Sequence, residues 1–346
     1  MGNYRLTIEK KIKAALKKVS IIKILWNYHR VNRGFKVYQN ILAEFGQDAQ
    51  IYIEHYPGTG DVYLTCALLE KYRKKNDIHG NYALTVIGKG ATKIARLFSI
   101  NNIKTLTQTE SDDLINFIRF MAPEQFPNIK ILHYSPTAMH TAVLDMLASY
   151  HGLDFMTMYL TTVFPNISRE DACDFPPSQN IEEIQEIFDA KGLIPGKTVV
   201  LFPFANTIEN LSWHAWERMA RNLREKGFTV CTNVEPEKPA VLGTCDVFVP
   251  YSQLQAFVDM AGYVVGLRSG IFDIIARTSC QKFILYPTPN YYKFGVGTFY
   301  DYFSLKNMGI SDDAHEYQFE RIYETRIFRK VTEDVIRIYE SQKIQG

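Results

Sequence analysis

The stretch Gln50-Ile-Tyr-Ile-Glu-His-Tyr-Pro-Gly-Thr-Gly-Asp61 runs directly into Val62-Tyr-Leu-Thr-Cys-Ala-Leu-Leu-Glu-Lys-Tyr72. Its apolar start reads as a strand over 50–56. Pro57, Gly58 and Gly60 read as a tight turn, and residues 61–75 read as a helix. The same strand, turn and helix recur at Tyr263-Val-Val-Gly-Leu-Arg-Ser-Gly270, followed by Ile271-Phe-Asp-Ile-Ile-Ala276. One turn ends in a carboxylate. The other offers a cation, a hydroxyl and backbone N–H groups.

Working outward, strands are expected at 83–87, 103–107 and 129–133, with helices at 90–98, 110–121 and 137–150. This alternation predicts a parallel sheet covered by helices. Residues 165–180 interrupt it with Pro165, Pro176 and Pro177, and a helix at 181–191 follows. The alternation then restarts. Strands are expected at 198–202, 228–232, 247–249, 263–266 and 282–286. Helices are expected at 213–226, at 254–260, from Ile271, and finally at 325–343. The fold class is therefore α/β, with two doubly wound domains facing across a cleft, where ligands bind beyond the carboxyl ends of the strands. The divisions are a basic N-terminal segment 1–38, a first domain 39–165, a linker 166–196, a second domain 197–325 and a C-terminal helix 326–346.

The net charge of +2 hides an asymmetry: residues 1–36 hold ten Lys or Arg and one acid, Glu9, for +9, leaving −7 on the remainder. Residues 6–28 read as a basic amphipathic helix, packed on the body with a solvated lysine face or docked on an anionic membrane surface. No basic path continues beyond it, which argues against nucleic acid as a partner. The five cysteines show no Cys-x-x-Cys spacing, so reduced thiols and a cytoplasmic setting are expected. No apolar run is long enough for a transmembrane helix.

Each turn has a bland and a chemical reading. Gly58, Thr59 and Gly60 let the backbone turn tightly and approach a ligand. Asp61 is either a first-turn acid facing the helix dipole or a general base held at the cleft. Ser269 and Gly270 open a helix whose free N–H groups suit an anion, with Arg268 adding bidentate contacts; the bland alternative is Ser269 as N-cap with Asp273 in the first turn. Phe202-Pro-Phe-Ala-Asn-Thr207 precedes a helix opened by Ser212 and Trp213. Trp213 and Trp216 are core residues or a ligand platform. The aromatic residues of 286–304 either line a cleft rim or pack between the domains. No Asp-x-Asp triplet, Gly-x-Gly-x-x-Gly or Gly-x-Ser-x-Gly is present.

Taken in order, these segments resemble the ADP-heptose:lipopolysaccharide heptosyltransferases and their relatives in glycosyltransferase family 9. Gly60, Asp61, Leu64 and Leu68 or Leu69 fit that family's first motif, with Cys66 or Ala67 near its proline. Pro203 and Trp213 fit the second, with Phe204 at its glycine and Leu211 at its lysine. Val265, Gly266, Ser269 and Gly270 fit the third, with Arg268 and Asp273 replacing its Asp and His.

The resemblance implies two Rossmann-like domains in the GT-B arrangement, an acceptor domain followed by a nucleotide-sugar donor domain. It implies an inverting, metal-independent glycosyltransferase, hexosyl- or heptosyltransferase-like, in surface polysaccharide synthesis at the inner face of the membrane. No cofactor is implied. The partners are a nucleotide sugar and a glycan or lipid-linked acceptor. Asp61 is the expected base. Arg268, Ser269, Gly270, Asp273, Phe204, Asn206 and Trp213 are expected at the donor, and Gly58, Thr59 and Gly60 on the acceptor side. A sugar-nucleotide epimerase or hydrolase on the same scaffold, or a non-catalytic nucleotide- or glycan-binding subunit, are the alternatives.

Overall fold

The structure, a computed structural model, describes residues 28–121, 126–132, 154–176, 181–234, 238–288 and 298–345. The basic segment before Tyr28, the helix expected at 137–150 and residues 289–297 lie outside the described residues.

The first half opens with helix α1 over residues 28–45. Then come β1 (Gln50–Ile53), α2 (Thr59–Lys75), β2 (Tyr82–Ile87), α3 (Gly88–Leu97), β3 (Ile103–Leu106), α4 (Gln108–Met121) and β4 (Ile129–Ile131). Its strands form one parallel sheet in the order β3-β2-β1-β4. Parallel neighbours need a crossover, which α2 and α3 provide. Helix α5 (Phe155–Thr162) and helix α6 (Ile181–Lys191) lead to the second half.

The second half contains β5 (Thr198–Phe202), α7 (Trp213–Glu225), β6 (Thr229–Asn233), β7 (Cys245–Val247), α8 (Tyr251–Ala261), β8 (Gly262–Leu267) and α9 (Gly270–Ile274). It ends with β9 (Gln281–Thr288), α10 (Phe299–Phe303), β10 (His315–Glu320) and α11 (Glu324–Gln345). Its sheet is parallel throughout, in the order β10-β9-β8-β5-β6-β7.

Strand alternation distributes side chains between layers. Ile51 and Ile53 face a core built with α1 and α4, while Tyr52 faces a core built with α2. In β5, Val199 and Leu201 face α7 and α11, while Val200 and Phe202 join the α2 core. That shared core is continuous between the halves. Phe155 of α5 meets Phe303 of α10 with ring centroids 5.4 Å apart.

Several expected boundaries shift. The division at 38/39 falls inside α1, which runs unbroken to residue 45. The helix assigned to the linker packs on the second half, Phe188 against Phe257 at 5.2 Å. The C-terminal helix also belongs to that half, Phe328 standing edge-on to Trp216 at 4.8 Å. β1 stops at Ile53, and the strand expected at 247–249 lies at Cys245–Val247. β10 was not anticipated. It is an edge strand reading His-Glu-Tyr-Gln-Phe-Glu, with only Phe319 buried, so it carries no apolar signal. All five cysteines are free; Cys66, Cys231 and Cys280 are buried and Cys173 is exposed.

Candidate active site

β1 ends at a charge. Glu54 is fully buried, and its carboxylate accepts hydrogen bonds from two sides. Oε1 accepts the Tyr56 N–H at 3.0 Å, and Oε2 accepts the Thr65 hydroxyl from α2. The Tyr159 hydroxyl of α5 donates to the Leu132 carbonyl at 2.9 Å and lies 3.4 Å from Glu54 Oε2. Burial, then the Glu54 charge, pushes the Tyr159 phenol well above its ordinary pKa. Glu54 thus ties the turn to α2, with Tyr159, itself bonded to the end of β4, close by. A buried carboxylate is tolerated only when hydrogen-bonded in this way. The next residue, His55, is anchored on α4, with Nδ1 2.7 Å from the Ser111 hydroxyl and Nε2 3.5 Å from Asp112.

Gly58 is the N-cap residue of α2, and Asp61 sits in the helix's first turn. The Asp61 carboxylate folds back over the cap: a Cβ on Gly58 would lie 2.3 Å from Asp61 Oδ2 and 3.0 Å from the Tyr56 ring. Tyr56 is 45% exposed. Burial, and then the charge of Asp61, raises its phenol. The Asp61 charge also acts on Tyr159 and on Asp273 of the other half.

The second turn is built differently. Arg268 follows β8 and is 4% exposed. Its Nη1 and Nη2 donate to the two oxygens of Asp273 at 3.0 and 2.6 Å, and its Nε donates to the Phe303 carbonyl at 2.7 Å. Nη1 also donates to the Ser269 carbonyl at 2.5 Å. Burial alone would lower the guanidinium pKa; Asp273, together with Tyr286 and Glu316, offsets this and holds it above its ordinary value. The guanidinium expected to face an anionic ligand is therefore turned inward, and Asp273, expected at the donor, is its counter-ion. The physical reason is burial: a cation nearly removed from water needs a close, hydrogen-bonded partner. Ser269 occupies the N-cap position of α9, but its hydroxyl makes no capping bond. It is buried and has no hydrogen-bond partner among the described residues.

The two turns meet directly. A Cβ on Gly60 would lie 2.3 Å from Asp273 Oδ2 and 3.2 Å from Gly270 Cα. A Cβ on Gly270 would lie 2.3 Å from the Gly60 nitrogen. Neither glycine has a positive φ, so space and not dihedral freedom requires them. Gly60 was expected to let backbone approach a ligand and Gly270 to leave N–H groups free for an anion; here both let one half approach the other, bringing the starts of α2 and α9 together.

Beyond β5, Phe204 and Trp213 are half-buried and lie ring to ring at 5.9 Å. Lys238 Nζ stands 5.1 Å from the Phe204 ring centroid. Asn206, two residues on from Phe204 in the chain, is exposed. The tryptophan pair divides: Trp213 joins this face, while Trp216 is wholly core. His214 is exposed and pairs with Glu217 at 3.1 Å. Of the aromatic stretch, Tyr286 is buried and its ring meets Tyr300 at 5.0 Å, so the described part packs rather than lines a rim. Among the described residues, no cluster of three or more His, Cys, Asp or Glu is placed to hold a metal ion.

Glu54, Tyr159 and Lys238 were missed from sequence. A signal existed for Glu54. A charge that closes an apolar strand needs a partner once buried, and Glu54 closes Ile51–Ile53. Tyr159 and Lys238 carry no local signal.

Known proteins supply the next observation. No family profile matches the chain, and no curated protein matches it by sequence. Among solved structures, it is similar to E. coli ADP-heptose LPS heptosyltransferase II at 12% identity, with a TM-score of 0.54 over 85% of this chain and 99% of that one. The fold is GT-B. Also similar are a family 9 glycosyl transferase from Veillonella parvula (13% identity, TM-score 0.49, 86% of this chain and 97% of that one) and an E. coli heptosyltransferase with ADP (13%, 0.43, 84% and 99%). In the GT-B frame, Asp61 belongs to the N-terminal sheet and Ser269, Phe204 and Trp213 to the C-terminal sheet. All follow the carboxyl ends of their strands.

Proposed function

We propose that the protein is a glycosyltransferase that moves a sugar from a nucleotide sugar to a hydroxyl of a glycan or lipid-linked acceptor, with inversion and without a metal ion, in the synthesis of a bacterial surface polysaccharide. The observation that carries this reading is the placement of Asp61. Its carboxylate lies in the first turn of α2, where that helix meets Gly270 and Asp273 of the second half. The solved structure with the same fold is named as an ADP-heptose LPS heptosyltransferase.

Asp61 takes the proton of the acceptor hydroxyl as its oxygen attacks the anomeric carbon. The bond from that carbon to the diphosphate oxygen breaks, and the nucleoside diphosphate leaves. Ser269 and the Gly270 amide face the departing phosphates, and Phe204 and Trp213 stack on the nucleoside, with Asn206 beside them. Arg268 acts indirectly, by fixing the 268–273 turn through Asp273. The reaction places the enzyme at the inner face of the membrane, where the basic segment 6–28 would hold it.

The test is Asp61→Asn. Loss of a positioned base lowers turnover by about 10²–10⁴-fold, while nucleoside-diphosphate affinity measured by calorimetry stays unchanged. Turnover near that of the parent would show that the folded-back carboxylate is only a helix-end acid. Incubation with donor alone separates transfer from epimerisation or hydrolysis, and full activity after chelator treatment supports the metal-free route.

A further inference from the structure

A cation stands beside the aromatic pair of the second half. Phe204, two residues beyond β5, and Trp213, the first residue of α7, are both half-buried and lie ring to ring at 5.9 Å. Lys238 is exposed, and its Nζ lies 5.1 Å from the Phe204 ring centroid, within the range of a cation–π contact. Sheet order fixes the side of the pair on which this ammonium stands. β5 lies between β8 and β6, and all three run parallel. Phe202 is level with Gly266 of β8, and Leu201 is level with Thr232 of β6. The chain therefore leaves all three strands at one edge of the sheet, with Ser269 after β8, Phe204 after β5 and Lys238 after β6. β8 and β6 are two strand spacings apart, about 10 Å. Lys238 thus flanks the aromatic pair on the side away from Ser269 and Gly270.

We infer that Lys238 reads the nucleobase of the donor and selects one with a carbonyl on its edge, uracil, thymine or guanine, over adenine. The inference deepens the proposed function and rests on the reading of this face as a nucleotide-sugar site. In that reading the phosphates lie against Ser269 and Gly270 and the nucleoside against Phe204 and Trp213, so the base end of the nucleotide points towards Lys238. Stacking on an aromatic pair accepts any base, because every base has a π face. Discrimination then falls to the polar group at the base edge. A lysine ammonium carries three N–H donors and no acceptor. It matches a carbonyl oxygen such as guanine O6 or thymine O4, and uracil has the same oxygen as thymine. Adenine puts an amino donor in that place, and two donors cannot bond to each other. Arg268 cannot supply this contact, because its two terminal nitrogens are closed on Asp273. An exposed cation–π contact is weak, so the Lys238 ammonium can leave the Phe204 ring for a base oxygen at little cost.

Calorimetry of the full chain with UDP, dTDP, GDP and ADP, without sugar donor or acceptor, tests this. The parent is expected to bind at least one of UDP, dTDP and GDP about tenfold more tightly than ADP. Lys238→Met keeps the aliphatic stem and removes the charge. It should abolish that preference, weakening the favoured diphosphate about tenfold and leaving ADP affinity unchanged. Its melting temperature should match the parent's, since Lys238 is exposed. Lys238→Arg should keep the preference. Tighter binding of ADP by the parent overturns the inference, and so does a Lys238→Met protein that keeps the parent's order of affinities. An equal loss for all four diphosphates overturns it as well, assigning Lys238 to the phosphates. In these three outcomes nucleotide binding stands, and the proposed transfer with it. A parent that binds none of the four overturns both.

Discussion

In both halves of the molecule a buried strand runs into a glycine-bearing turn and a helix, yet the acids at the two turns are handled in opposite ways. Asp61 is half-buried and folds over Gly58 at the helix start, where the helix dipole favours it. Asp273 is 4% exposed and neutralised by a bidentate guanidinium. The acid that keeps contact with water can exchange a proton with a substrate. The acid locked to Arg268 shapes a turn and holds it against Gly60. Two segments with the same local pattern therefore carry different roles, and burial beside a guanidinium separates them.

That contrast can be broken by substitution. The largest expected effect is at the closed turn: Asp273→Ala leaves a buried, uncompensated guanidinium and should lower stability by about 3–5 kcal/mol in urea unfolding. Replacing both partners with apolar residues should recover most of it. A loss no larger than that of an exposed pair would mean that Arg268 turns out to solvent. Next is the joint between the turns. Gly270→Ala forces a methyl against the Gly60 nitrogen and should cost about 1–3 kcal/mol. Because the clash separates the halves, nucleotide-binding affinity should fall with it.

The ion pairs of Arg30 and Arg33 of α1 with Asp113 of α4, at 3.0 and 2.6 Å, give an intermediate effect and a pH signature. Hydrogen bonds from Arg33 and Arg30 outweigh burial, which acts in the opposite sense, and hold Asp113 below its ordinary pKa. A depressed carboxylate stabilises the fold above its unfolded pKa of about 3.9, and that stability is lost as pH falls through the lower folded value. With Arg33 44% exposed, the contribution is screened to about 1 kcal/mol. Unfolding midpoints of the parent and of Asp113→Asn should therefore differ at neutral pH and converge in acid below pH 4 or so. The smallest stability effect belongs to Asp61→Asn, about 0.3–1 kcal/mol from the helix dipole, although its effect on turnover is expected to be large. Equal stability losses for Asp61→Asn and Asp273→Asn would erase the distinction between the turns.

Much of this architecture was legible because a parallel sheet buried on both faces writes itself as short apolar runs. β1, β2, β5, β8 and β9 all overlap such runs, and α6 was placed at its observed bounds, Ile181–Lys191. β10 was not legible, since an edge strand with one buried residue can be polar. The candidate site was legible as positions: both turns, Asp61, Ser269 and the Phe204–Trp213 pair. The direction in which a charged side chain points was not. Arg268 reads equally well as a ligand clamp or as one half of an internal ion pair, because its partner Asp273 lies on the next turn in either case.

By itself the sequence determined the alternation of strands and helices, the two-domain plan, the location of the glycine turns and the concentration of positive charge before Tyr28. These follow from local periodicity and composition, which need no partner in space. Only the tertiary structure decided that Gly60 and Gly270 touch, that Arg268 closes on Asp273, that Glu54 is anchored by Thr65 with Tyr159 close by, and that Lys238 lies against the Phe204 ring. Each of these depends on residues far apart in the chain, or on whether a neighbouring surface removes a group from solvent. Burial sets the cost of a charge or the gain of an apolar ring, and it is fixed only when the elements pack.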